Sequence, residues 1–176
     1  MALVKLEKKG YGQLELNFAA FRRNGAIEAG CRIADGIDYL ENGMLLAVDR
    51  KNRVVGFPKG TKGEVIALNY TAEHMYDERE KALKDFKLDA NTFYPRLGYI
   101  GTPDKFTTNT VCYDNEEYAD LNAIKEAVAG GTVYGVPCEI GYIKVTADRG
   151  EGFAVEVLEV TDMPDGQVAI KFGGLN

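Results

Sequence analysis

The 176-residue chain contains no serine and no tryptophan, a single histidine, His74, and five prolines. The missing serine excludes a Ser-His-Asp nucleophile. A Cys/His arrangement would have to use His74, which lies among Glu73, Asp77 and Glu78 at the start of a predicted helix and reads as a surface or capping histidine. The three cysteines, Cys31, Cys112 and Cys138, are odd in number and widely spaced. They form no CxxC pair and, with one histidine, no zinc pattern close in sequence, so they read as buried free thiols of a chain folded in a reducing compartment. No run approaches the ~18 apolar residues of a membrane span, and MALVKLEKKG turns charged too soon for a signal peptide.

Phosphate and metal patterns are equally scarce. No GxGxxG or GxxxxGK[ST] occurs. The glycine groups at 60–63 and 130–135 read as turns, the second because it follows a helix where phosphate loops precede one. The close pairs Asp35/Asp38 and Asp162/Asp165 lie outside any D-x-D-x-D-G loop. The expectation is a chain that is not an enzyme and uses no metal or cofactor, offering the shape and charge of its surface instead.

What is present is an ordinary globular composition, 45% apolar and 27% charged, with 20 glycines and a net charge of −6. The charge is uneven. Residues 1–24 hold five basic residues (Lys5, Lys8, Lys9, Arg22, Arg23) against Glu7 and Glu15, a net of +3. The remaining 16 basic and 25 acidic residues leave −9 for the rest. An acidic body is a poor nucleic-acid binder, and Phe21-Arg22-Arg23 is a lone aromatic–basic run. A basic segment on an acidic body suits an acidic protein neighbour, including another copy of the chain.

The pattern predicts a strand-rich α+β fold in one domain, with hairpins and about two helices on a β scaffold. Residues 1–24 are expected to be a basic extended arm. Residues 25–176 form the domain, with a helix-containing insertion around 73–131. Two-residue alternation marks a strand at 14–18, and apolar, β-branched or turn-bounded runs mark further strands at 27–33, 44–49 with its hairpin partner 53–57, 64–70, 97–100, 106–113 and 141–147. Alternation also marks a C-terminal pair, 153–158 and 168–172, joined at Pro164-Asp165-Gly166 and placed at a sheet edge. One helix is expected over 73–86 behind Thr71. A second runs from an Asp114 N-cap, with Glu117 in capping-box position, along a Tyr118, Leu121, Ile124, Val128 stripe to Gly130-Gly131, and packs on a sheet.

Two stretches, ENGMLLAVDRKNRVVGFPKGTKGEVIALNYTAEHMYDE (41–78) and YPRLGYIGTPDKFTTNTVCYDNEEY (94–118), together with the C-terminal hairpin, resemble small structural proteins of tailed phages of Gram-positive bacteria, similar in outline to head decoration, or cement, proteins. The resemblance implies a virion protein made in the host cytoplasm that sits on the outer capsid surface. Its partner would be the major capsid protein lattice, with self-association possible and no nucleic acid or membrane involved. Lys8, Lys9, Arg22 and Arg23 would contribute to docking, the arm acting as a tether that gains order on the lattice. Another virion part, such as a tail-tube or head–tail joining subunit, is the alternative. A carboxylate-based enzyme is a more distant one.

Overall fold

The structure, a computed structural model, describes residues 2–71, 82–90 and 94–175. In chain order its strands are β1 (Leu3–Lys5), β2 (Leu14–Phe18), β3 (Ile27–Glu28), β4 (Arg32–Ile33), β5 (Tyr39–Leu40), β6 (Leu45–Asp49), β7 (Val54–Gly56), β8 (Ile66–Asn69), β9 (Leu88–Asp89), β10 (Leu97–Gly98), β11 (Lys105–Thr108), β12 (Val111–Asp114), β13 (Tyr134–Pro137), β14 (Ile143–Thr146), β15 (Val155–Asp162) and β16 (Val168–Gly174). Helix α1 is Ala20–Asn24 and helix α2 is Leu121–Gly130. The chain is a strand-rich α+β domain, mostly β.

The larger sheet has the order β1-β12-β14-β13-β15-β16-β11-β2. β11 and β12 stand near its opposite ends, yet only Asn109 and Thr110 separate them. Five strand spacings in a flat sheet would be about 24 Å, whereas the link from Thr108 to Val111 reaches about 10 Å. The sheet therefore rolls up, and residues 105–114 act as one bent strand flanked by both β14 and β16. Its interior side chains are Phe106, Val111, Tyr113, Ile143, Val145, Val155, Val157, Ile170 and Phe172, one continuous core. Gly135 lies among them: a Cβ there would fall 2.7 Å from Ile143 Cγ2 and from Phe172 Cε1. That glycine is in strand β13, not in the turn expected of the 130–135 cluster.

The second sheet, β3-β10-β8-β6-β7-β4, sends Leu45, Ile66 and Leu68 into the same core. By strand alternation, Leu46, Val48 and Ala67 point the other way, into a second cluster with Cys31, Leu40, Val55, Leu88 and Leu97. β5 and β9 pair over two residues.

Several sequence expectations need correction. The C-terminal hairpin forms, with Met163 N donating to Gln167 O (2.7 Å) across its turn, but β15 and β16 lie in the middle of the strand order, not at an edge. The single strand expected over 27–33 is split at Gly30, whose φ of 84° leaves the extended region. The strand expected over 106–113 is divided where Thr110 Oγ1 donates to Asn42 O and Gln13 N to Asn109 Oδ1.

The helix expected over 73–86 lies outside the described residues as far as Lys81, and His74 with it. Its end is not α-helical. Leu83–Asp85 is one 3-10 turn closed by Ala82 N donating to Asp85 Oδ2 (2.9 Å), and Phe86 is extended. The second helix begins at Asp120, whose Oδ1 accepts from Asn122 N (2.8 Å) and Ala123 N (2.9 Å). Asp114 is held as the last residue of β12, paired with Leu3, and starts a turn that carries Glu117 to Thr146. The expected packing of the helix does occur, with Ile124 fully buried against the barrel core.

Candidate functional site

The described residues of the expected 1–24 arm, residues 2–24, are part of the body and not a free arm. β1 pairs with β12 and β2 with β11, both antiparallel. Leu6, Ala20 and Phe21 are buried. The reason is physical: strand donors and acceptors need partners, and Leu6 and Phe21 are buried in the barrel core. A tether that waits for a lattice to order it is therefore not what this segment forms.

The four basic residues singled out for docking separate into different environments. The Lys8 ammonium is enclosed. It pairs with the Glu41 carboxylate, donates to Tyr142 Oη (2.7 Å) and stands 4.7 Å from the Tyr142 ring centre. Glu41 also accepts from Gly12 N (2.6 Å) and Tyr142 Oη (3.2 Å). Burial lowers the Lys8 pKa, with the Glu41 carboxylate opposing, and burial raises that of Tyr142. Lys8 fastens segment 6–13 to the body and is not a surface cation. The Lys9 side chain is exposed while its backbone N–H donates to Gln167 Oε1 (2.5 Å) at the C-terminal turn.

Arg22 and Arg23 lie at the other end of β2, a strand's length (about 13 Å) or more away. They project from α1, which the sequence pattern did not reveal. Phe21 holds this helix in place. Its ring is 2% exposed, tilts against Tyr70 at 5.3 Å and rests on Gly98, while its N–H donates to buried Asp104 (3.2 Å). Gly25, with φ of 70°, ends the helix and turns the chain into β3.

The result is a corner at which α1 links the end strands of two sheets. β2 ends the order of the larger sheet and β3 that of the smaller one, among the described residues. Phe18 is 41% exposed and Ile27 47%, two of the most exposed large apolar side chains described. The Arg23 guanidinium stands 5.2 Å from the Phe18 ring centre. Lys105, cross-strand partner of Phe18, is also exposed. Leu16, Asn17, Phe18, Ala19, Arg22 and Arg23 line a shallow depression here. Phe18 was legible as a strand residue; its exposure was not, since alternation gives the two faces of a strand without saying which is covered.

Among the described residues, no three His, Cys, Asp or Glu side chains gather as a metal site, and no helix is long and apolar enough to cross a membrane. No protein-family model, curated protein or solved structure matches the chain.

Proposed function

We propose that the chain is a structural virion protein that binds the outer surface of an assembled phage capsid and stabilises it, docking through the Phe18–Arg22–Arg23 corner. The observation that carries this reading is that corner. An exposed aromatic ring beneath a guanidinium, with Arg22 lining the same depression, sits at the open β2 edge of an otherwise acidic chain. Aromatic and arginine side chains are the usual energetic centres of protein interfaces, and local positive charge steers the surface toward an acidic partner. The resemblance of 41–78 and 94–118 to decoration proteins supports the kind of partner.

A protein that binds the assembled lattice in preference to free subunits stabilises the shell by mass action, and a repeating lattice multiplies weak contacts. The test is to mix the chain with bare shells of the major capsid protein and with its unassembled subunits. Co-sedimentation with shells, little binding to subunits and a higher shell melting temperature are expected; equal binding to both would contradict a cement role.

A second reading rests on the open backbone edges of β2 and β3, which could pair with another copy, as in a tail-tube or joining subunit. Light scattering of the isolated chain separates the two. A decoration protein stays small without its lattice, whereas a tube subunit forms rings.

A further inference from the structure

Cys112 lies on β12, fully buried. Cys138 follows the last residue of β13 and opens the turn to β14, where it is partly exposed. Their Sγ atoms are 3.7 Å apart. The turn is fixed by Gly141 N donating to Cys138 O (2.9 Å) and Cys138 N to Tyr142 O (3.2 Å). Cys31, in contrast, is 1% exposed, and its Sγ faces the Glu28 carboxylate at 3.6 Å.

A disulfide bond is about 2.0 Å long; the two sulfurs, 3.7 Å apart, are in van der Waals contact with no atom between them. Cys138 is partly exposed and Cys112 fully buried beside it. That is the arrangement of an attacking and a resolving thiol. We propose that Cys112 and Cys138 form a thiol-modification site that takes a low-molecular-weight disulfide, such as oxidised glutathione, and converts it into an internal cross-link.

In the first step, the Cys138 thiolate attacks one sulfur of the small disulfide, forming a mixed disulfide and releasing one small thiolate. In the second, Cys112 Sγ attacks Cys138 Sγ, the second small group departs as a thiolate, and the proton lost from the Cys112 thiol ends on it, giving the second small thiol. The two protein thiols are oxidised and the small disulfide is reduced to two thiols, which balances the exchange.

The electrostatics agree with these roles. The hydrogen bond shared with Cys112 Sγ, against the opposing effect of burial, lowers the Cys138 pKa from its ordinary value, with backbone donors of the turn assisting. The Cys112 pKa is raised, first by that same hydrogen bond and then by burial. A lowered thiol pKa raises the thiolate fraction, the species that attacks a disulfide. The charged groups facing the pair are Lys144 of β14, Lys5 of β1 and Glu139 of the turn.

The cross-link would tie β12 to the end of β13 across β14, closing the segment that carries α2. It would restrict the unfolded chain and leave the barrel in place. The inference does not depend on the capsid reading, and either can fail alone.

The test incubates the full chain with oxidised glutathione at neutral pH, alkylates remaining thiols under denaturing conditions and records intact mass. The expected product has lost two hydrogens, retains no glutathione, leaves one alkylatable thiol (Cys31), reverts with dithiothreitol and melts about 5–10 °C higher. In Cys112→Ala, the chain should keep one glutathione on Cys138. In Cys138→Ala, at a partly exposed position that tolerates the change, neither cross-link nor adduct should form. Retention of glutathione by the wild-type chain, no reaction at all, or loss of two hydrogens in Cys138→Ala would each overturn the assignment.

Discussion

Phe21 lies directly on Gly98: a Cβ added to the glycine would fall 2.7 Å from both Cδ2 and Cζ of the ring. This contact lets a five-residue helix, too short to be stable alone, hold Arg22 and Arg23 at a fixed corner between two sheets. Phe21→Ala should cost about 3–5 kcal/mol, and Gly98→Val should destabilise through the same contact from the other side. Urea denaturation followed by tyrosine fluorescence measures both. A cost below about 1 kcal/mol for each would mean that α1 is held by something else.

The start of α2 gives a second prediction. Asp120→Ala removes an oxygen that accepts two backbone N–H groups and should cost about 1 kcal/mol. Glu117→Gln should not act as a capping-box loss, because Glu117 Oε1 serves Thr146 and Ala147. The expected signature is an Asp120→Ala chain that loses helical ellipticity and a Glu117→Gln chain that keeps it.

This helix also shows what the sequence conveys. Its apolar stripe is local and was legible, as were the β6–β7 hairpin and the C-terminal hairpin with its Pro-Asp-Gly turn. Asp114 and Asp120 both precede helix-compatible residues. The choice between them is made by Leu3, more than a hundred residues away, whose pairing holds Asp114 in β12. Barrel closure is non-local in the same sense, since Gly135 looks like a turn residue until Phe172 and Ile143 are placed around it. Lys8 looked like a docking cation because its partner, Glu41, lies 33 residues on. Of the expected docking set, Arg22 and Arg23 share a surface with exposed Phe18, which alternation marked only as a strand residue.

The Lys8–Glu41–Tyr142 cluster carries a pH prediction. Tyr142 has a folded-state pKa raised above its ordinary value of 10.0, so its contribution is fully present below pH 10 and is lost as pH rises past it. Lys8 has a lowered pKa. Its burial cost is present below that folded value and is relieved as pH approaches 10.5, so it opposes Tyr142 in the alkaline range. Tyr142→Phe should flatten the fall of melting temperature between about pH 10 and 11.5, and Lys8→Met should steepen it. Glu41→Ala, which strands a buried ammonium, should cost about 3–5 kcal/mol at neutral pH. Parallel melting curves for the three variants check the signs.

Gly135 tests the barrel itself. Gly135→Ala places a methyl group against Ile143, Phe172 and Val155, and overpacking of this kind costs about 1–3 kcal/mol. Gly131→Ala, in open space and with extended backbone, should be near neutral. Equal costs for the two in guanidinium denaturation would contradict a filled barrel interior.

Docking at the Phe18 corner is tested most directly by the occupancy of assembled capsid shells, measured by co-sedimentation of three chains: wild type, a Phe18→Ala/Arg23→Glu variant and a Lys9→Glu variant. The corner variant, with an unchanged melting temperature, is expected to lose at least tenfold in affinity, whereas Lys9→Glu stays within about twofold of wild type. Wild-type occupancy by the corner variant, or an equal loss in both, would contradict the account.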